Sequence, residues 1–204
     1  QNTHFVNCTG LDDDSDANNH LTCAMDIALM SRELMRSHPD IRQYTTLWMD
    51  SLRGGTSELV NTNKLIRHYP GATGLKTGFT QKAGYCLSAT AQRDGMELVA
   101  TVMGSESSKD RFNACKQLLD YGFANYAMAV PPAIDDQLTP VKVRGGTQEY
   151  IHPVAEVPEG FVVRKGTEKA LEQTIELLPE VEAPIVQGQV IGSVLVRAQG
   201  KEIG

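Results

Sequence analysis

The feature that most restricts the fold is a pair of β-compatible segments joined by a short turn. Residues 85–91 and 96–103 are rich in residues that favour strands, and Gln92-Arg93-Asp94-Gly95 lies between them. Asp-Gly is a strong signal for a tight hairpin, because Asp and Gly tolerate the backbone conformations that such a turn needs. The sequence therefore predicts two adjacent antiparallel strands, and the sheet they form needs other elements to cover it.

Two amphipathic helices are predicted as that cover. The first runs over about residues 22–37, with Thr22 as its N-cap and Pro39 as its stop signal. The second begins at Ser108, with Asp110 in its first turn. The apolar positions follow the helical period: Ala24, Ile27, Ala28, Leu34 and Met35 in the first helix, and Phe112, Cys115, Leu119 and Phe123 in the second.

The pattern changes near Val130-Pro131-Pro132. Before this point short strands are predicted among the helices, at 45–49, 59–60 and 74–80; after it come strand candidates such as 139–143 and 160–163, separated by Gly and Pro. We therefore predict an α+β domain over residues 1–130 and a small all-β sandwich or barrel over residues 131–204.

Composition argues against a nucleic-acid partner and leaves the state of the cysteines open. The 204 residues include 19 Lys and Arg against 25 Asp and Glu, a net charge of −6 with both signs scattered, so no nucleic-acid surface is expected. The four cysteines, Cys8, Cys23, Cys86 and Cys115, form no Cys-x-x-Cys pair, and the sequence predicts small buried thiols. Two disulfides remain open as the alternative.

No metal or cofactor is expected. Asp12, Asp14 and Asp16 alternate as in a calcium loop, but the turn glycine would fall at Ala17 and the closing glutamate at Cys23. A solvated acidic loop before a helix is the better interpretation.

Lys76-Thr77-Gly78 is the segment that carries chemistry. On a strand, Lys76 offers an ammonium group, Thr77 a hydroxyl donor, and Gly78 room for a ligand close to the backbone, a combination that suits an anion. The spacing is not that of a phosphate-binding loop. Taken alone, the tripeptide fits an ordinary strand with an exposed lysine equally well.

Over residues 74–85 the chain resembles the D-alanyl-D-alanine carboxypeptidases, the low-molecular-mass penicillin-binding proteins. The likeness covers nearly the whole chain. It departs from the family at Cys8, where the family usually has proline, and at Phe79, where it often has histidine. The other matching segments are residues 2–11, 20–28, 60–65, 102–123 and 183–192.

This resemblance implies part of a penicillin-binding or β-lactamase-like domain, an antiparallel sheet with helices, followed by a small all-β domain. It implies a serine-type carboxypeptidase that removes the terminal D-Ala from peptidoglycan stem peptides ending in D-Ala-D-Ala, with β-lactams as inhibitors. The enzyme would be extracytoplasmic, attached to the outer face of the bacterial cytoplasmic membrane by a C-terminal segment absent from this chain.

The resemblance also implies residue roles. Lys76 would be catalytic, holding a serine that shuttles protons, and the Thr77 hydroxyl would bind the carboxylate of the terminal D-Ala. Gly78 would leave room for the peptide, and the backbone N–H of Phe79 would be an oxyanion donor. Two further residues are substrate-binding candidates: Thr80, and Arg111, for which an exposed helix arginine is the alternative.

Ser-x-x-Lys and Ser-x-Asn, which supply the family's nucleophile, base and proton shuttle, do not occur in these residues. In the nearest approach, Ser105 stands four residues before Lys109. We therefore expect a C-terminal portion of a carboxypeptidase that is inactive alone and pairs with its missing N-terminal portion, or self-associates through an exposed sheet. The alternative is a non-catalytic cell-wall binding or scaffold protein with a degenerate half-site.

Overall fold

A computed structural model describes residues 2–11 and 18–204. The chain divides into two compact units, with the boundary in the sequence between Ala124 and Asn125. None of the helices among these residues combines the length and the apolar composition of a membrane span. The α-helices and strands of the first unit are α1 (Ala24–Ser37), α2 (Arg42–Thr45), β1 (Met49–Leu52), β2 (Ser57–Val60), α3 (Leu65–His68), β3 (Ala72–Thr80), β4 (Gly84–Arg93), β5 (Met96–Ser105) and α4 (Ser108–Asn125). Two 3-10 helices, Pro39–Ile41 and Arg53–Gly55, lie among them.

The antiparallel sheet β3-β4-β5 is the centre of the first unit. Arg93 pairs with Met96, so the turn between β4 and β5 consists of Asp94 and Gly95 alone. Both residues have positive φ, 49° at Asp94 and 78° at Gly95, as a type I′ turn requires. The predicted hairpin and its antiparallel pairing are confirmed.

The two long helices cover opposite faces of this sheet. Side chains alternate between faces along a strand, so Leu98 and Ser88 lie on different faces, given that Leu98 pairs with Ala91. A Cβ added at Gly122 of α4 would meet the Leu98 side chain, whereas Ser31 of α1 hydrogen-bonds Ser88, with their hydroxyl oxygens 2.7 Å apart. The predicted α+β class is confirmed.

Two local predictions were wrong. Residues 45–49 are not one strand: Thr45 ends α2 and β1 starts only at Met49, because the Thr45 hydroxyl donates to the carbonyl of Thr73 at 2.6 Å. Thr22 is not the N-cap of α1, since Cys23 occupies that position and the Thr22 hydroxyl lies 2.8 Å from that of Thr3.

The cysteines differ from one another. All four are free thiols, but only Cys115 is buried, while Cys8 is exposed and Cys23 and Cys86 are partly exposed. The prediction of four buried thiols was therefore wrong for three of them. The candidate calcium residues Asp12, Asp14 and Asp16 lie outside the described residues.

The second unit consists of short strands and one three-residue 3-10 helix, Asp135–Gln137. Its sheets are β6-β9, β11-β7-β8 and β10-β12-β13, and Val141, Val143 and Val181 form a core cluster. The strands are β6 (Tyr126–Ala129), β7 (Val141–Arg144), β8 (Tyr150–Ile151), β9 (Phe161–Arg164), β10 (Leu171–Leu177), β11 (Glu180–Glu182), β12 (Gly192–Ala198) and β13 (Lys201–Glu202). The β-rich character predicted for this part is confirmed.

The compact unit begins before the change in sequence pattern. β6 precedes Val130 and pairs with β9, which ties residues 126–129 to the second unit. The division into domains at 130/131 stays a prediction.

Candidate active site

β3 brings Lys76, Thr77, Gly78, Phe79 and Thr80 to one edge of the central sheet. Of the described strands, only β4 pairs with β3. Along this pair Lys76 lies opposite Ser88, Thr77 opposite Leu87 and Gly78 opposite Cys86. The other edge of β3 can therefore face a ligand.

Lys76 is exposed, and its ammonium donates to the backbone carbonyl of Thr77. Within residues 2–11 and 18–204 no carboxylate forms an ion pair with it. Its positive charge can therefore act on an incoming anion.

Thr77 is only 7% exposed, and its hydroxyl oxygen lies 2.6 Å from that of Thr62, either of which can be the donor. Thr62 itself is exposed. Sequence reasoning included Thr62 in a matching segment but gave it no role. The only sequence signal was a run of three polar residues, Asn61-Thr62-Asn63, which follows β2 and precedes α3.

Gly78 is exposed, and a Cβ added there would meet no atom within 4 Å. Phe79 is 50% exposed, with its ring centroid 4.3 Å from that of Tyr85. The Thr80 hydroxyl accepts from the backbone N–H of Ala83 at 3.0 Å, which closes the turn after the strand. Open space therefore lies over Gly78, and Thr80 serves the turn.

Arg111 is not an exposed helix arginine; it is 7% exposed on α4. Its Nη1 donates to the carbonyls of Gly78 and Cys86, at 2.9 and 3.2 Å, and its Nη2 donates to the Ser108 hydroxyl at 3.4 Å. The buried Nε has no hydrogen-bond partner in the part of the chain that the structure describes. The guanidinium thus joins α4 to β3 and β4 beside the motif.

Cys115 is a buried thiol on α4, four residues after Arg111. Burial raises its pKa to about 12, and the charge of Arg111 only partly opposes that shift. A thiol held protonated at neutral pH is a poor nucleophile. Among the described residues no three His, Cys, Asp or Glu side chains cluster as metal ligands.

The structure thus brings together the Lys76-Thr77-Gly78 strand and the side chains that support it. Acyl transfer also needs a nucleophile and a base, and this chain contains neither Ser-x-x-Lys nor Ser-x-Asn to supply them.

Comparison with known families accounts for both units. Residues 1–107 match the D-alanyl-D-alanine carboxypeptidase family, and residues 132–204 match the family described as penicillin-binding protein 5, C-terminal domain. A curated relative, D-alanyl-D-alanine carboxypeptidase DacF of Bacillus subtilis, is 33% identical and covers 98% of this chain and 51% of its own length. For D-alanyl-D-alanine carboxypeptidase DacA of Haemophilus influenzae the values are 30%, 100% and 51%. The chain spans about half the length of these curated relatives.

Solved structures give the same picture. Penicillin binding protein 5 from Haemophilus influenzae superposes with a TM-score of 0.78 at 28% identity, over 100% of this chain and 58% of that protein. Penicillin-binding protein D2 from Listeria monocytogenes, in its cefotaxime-bound form, gives 0.55 at 34% identity over 59% of this chain and 48% of its own.

Proposed function

Because this chain belongs to the D-alanyl-D-alanine carboxypeptidase family, we propose that it is the C-terminal portion of a serine-type D-Ala-D-Ala carboxypeptidase. The enzyme removes the terminal D-Ala from peptidoglycan stem peptides through an acyl-enzyme. The observation that carries this proposal is the Lys76-Thr77-Gly78 edge strand. Its ammonium has no carboxylate partner among the described residues, its threonine hydroxyl is paired with that of Thr62, and open space lies over Gly78.

In this mechanism the chain binds and stabilises, and the rest of the protein attacks. The Thr77 hydroxyl donates to the carboxylate of the terminal D-Ala, while Lys76 draws that anion to the strand and holds the serine that shuttles protons. The N–H of Phe79 donates to the oxyanion that forms at the scissile carbonyl. The serine nucleophile and its lysine base come from Ser-x-x-Lys outside these residues, and water then hydrolyses the acyl-enzyme.

Arg111 acts on this site indirectly in our proposal. Its guanidinium already donates to two backbone carbonyls and one hydroxyl. Because Gly78 precedes the proposed oxyanion donor Phe79, fixing the Gly78 carbonyl also fixes the peptide plane that bears that N–H. In this proposal Arg111 supports substrate binding by positioning the Phe79 N–H.

β-Lactams are proposed as inhibitors of the whole enzyme. The Listeria monocytogenes protein D2 has been crystallised in cefotaxime-bound and ampicillin-bound forms. Since the proposed substrate is peptidoglycan, we place the enzyme outside the bacterial cytoplasmic membrane, attached to its outer face by a C-terminal segment beyond this chain.

The alternative is a non-catalytic cell-wall binding or scaffold protein. It is favoured by the absence of Ser-x-x-Lys and Ser-x-Asn from the 204 residues. The coding sequence upstream of this chain discriminates, because it contains both motifs if the carboxypeptidase proposal is right.

Labelling with a fluorescent penicillin tests the proposal. The full-length protein should form a covalent adduct and release D-Ala from a D-Ala-D-Ala peptide. The 204-residue chain should do neither, since it lacks the Ser-x-x-Lys that supplies the family's nucleophile. An adduct on the isolated chain would place the nucleophile within it, and a full-length protein without an adduct would favour the scaffold alternative.

A further inference from the structure

We propose that Thr62 is a positioning residue for substrate binding: its hydroxyl donates to Thr77 and thereby directs the Thr77 proton at the terminal carboxylate. This inference rests on the carboxypeptidase function proposed above. It starts from the 2.6 Å separation of the Thr62 and Thr77 hydroxyl oxygens.

The protons of this pair decide what it can bind. Each hydroxyl carries one proton and can also accept, and only one proton fits between the two oxygens. When Thr62 donates to Thr77, the proton of Thr77 is free to point outward. A carboxylate only accepts hydrogen bonds, so its arrival selects this arrangement, and the two bonds in series strengthen each other.

Thr62 is held in place from both sides. The Asn61 amide donates to the carbonyls of Thr45 and Leu47, at 3.3 and 2.8 Å, and its oxygen accepts from the N–H of Asn63 at 2.8 Å. The hydroxyl of Thr62 is therefore carried by a docked segment.

The second anchor reaches the motif strand itself. Asn63 is 1% exposed, and its amide donates to the carbonyl of Gly74, at 2.7 Å, on the same strand as Thr77. Thr77 is part of β3, and Thr62 is held next to β3 by its neighbour Asn63. A donor that already points toward the ligand needs little reorganisation when the ligand binds. Such preorganised donors stabilise anions well.

The role can be separated from folding because Thr62 is exposed. Thr62→Val removes the hydroxyl with little change in shape, and Thr62→Ser restores it. Thr56→Val is a matched control, since Thr56 is an exposed threonine of the β1–β2 turn whose hydroxyl donates to the Arg53 carbonyl at 2.9 Å.

The test compares acylation of the full-length protein by benzylpenicillin, which has a free carboxylate, with acylation by its methyl ester, which has none. Thr62→Val should lower the rate constant for benzylpenicillin by about tenfold or more, as expected for losing a hydrogen bond that supports a charged acceptor. The methyl ester rate should change much less. Thr62→Ser and Thr56→Val should retain the preference for the free acid.

Equal slowing of both ligands in Thr62→Val would show a general structural effect and overturn the inference, as would an unchanged preference. The proposed function fails separately, if the wild-type full-length protein is not acylated by benzylpenicillin at all; the role of Thr62 then falls with it.

Discussion

Two side chains from other parts of the fold hydrogen-bond the Lys-Thr-Gly strand. The Thr77 hydroxyl is tied to Thr62, and the Gly78 carbonyl is tied to Arg111. Lys76 keeps its side chain in solvent. At the residue scale, the strand therefore offers one exposed positive charge beside two groups held by hydrogen bonds.

Removing either proposed anion donor should slow acylation of the full-length enzyme without unfolding it. Lys76→Ala removes an exposed ammonium and Thr77→Val removes a hydroxyl while keeping its volume. Losing one preorganised donor costs on the order of a hundredfold in rate. Stopped-flow acylation with a chromogenic cephalosporin measures the effect, and Thr77→Ser is the mild control. Wild-type rates in Lys76→Ala and Thr77→Val would count against the site.

The sequence pointed to the motif and to Arg111 only through their resemblance to a known family, and it did not reveal the contacts that support the motif. Lys-Thr-Gly is a contiguous segment, so residues 76–78 are neighbours in any fold. Thr62 reaches Thr77 across 15 positions and Arg111 reaches Gly78 across 33. Such contacts depend on how the strand, loop and helix pack, and no local pattern specifies them.

Two buried groups should make the chain less stable at alkaline pH. Burial raises the pKa of Cys115 from 9.0 to about 12; burial, aided by the hydrogen bond to Asp120, raises that of Tyr69 from 10.0 to about 12. Between about pH 9 and pH 12 the unfolded chain therefore binds fewer protons than the folded one, so the free energy of unfolding falls as pH rises.

Urea unfolding at about pH 8 and pH 10.5 measures this loss. The double variant Cys115→Ala, Tyr69→Phe lacks both titrating groups, and its urea midpoint should fall less over the same interval even if it starts lower. An identical fall in both proteins would assign the alkaline sensitivity to other groups.

At the element scale, the β4–β5 hairpin was predictable because its turn chemistry is local. Asp94-Gly95 is recognisable in the sequence and both residues occupy positive φ in the structure. Residues 45–49 were not predictable in the same way, because a tertiary bond from Thr45 to the Thr73 carbonyl accompanies its helical turn. Local propensity is a weak guide where a distant partner fixes the backbone.

Two glycine substitutions should separate folding from function. Gly95→Ala places a side chain at φ 78° and should lower the free energy of unfolding by about 1 kcal/mol. Gly78→Ala meets no atom within 4 Å and should leave unfolding unchanged, but the added methyl should slow acylation of the full-length enzyme by crowding the ligand. Urea unfolding measures the change in stability, and penicillin labelling measures the change in acylation. Equal destabilisation by both variants would contradict this distinction.

At the scale of the whole molecule, composition revealed two parts but not where the compact units meet. The change at Val130 reflects prolines and the turn-rich segments that follow. β6 lies before it and belongs with β9 through backbone pairing. Backbone hydrogen bonds between strands depend little on which side chains the strands carry. The sequence of residues 126–129 therefore did not predict pairing with β9.

An exposed apolar face on α1 affects whether the isolated chain self-associates. Met25 and Leu29 are 67% and 49% exposed, and Leu21, just before the helix, is 60% exposed. Residues four apart share a helix face, and large apolar patches on soluble monomers commonly mark interaction sites. In the full-length enzyme we expect the remaining half to cover this face.

The isolated chain should therefore self-associate and bind a hydrophobic dye. Met25→Glu with Leu29→Lys keeps the net charge, adds a favourable i,i+4 pair, and should reduce both association and dye binding. In the full-length enzyme the same change should destabilise, because it would bury charges in the contact with the preceding half. Light scattering and thermal unfolding measure the two effects. A wild-type chain that stays a 22.3 kDa monomer without binding dye, or a full-length variant as stable as its parent, would contradict the proposed cover on α1.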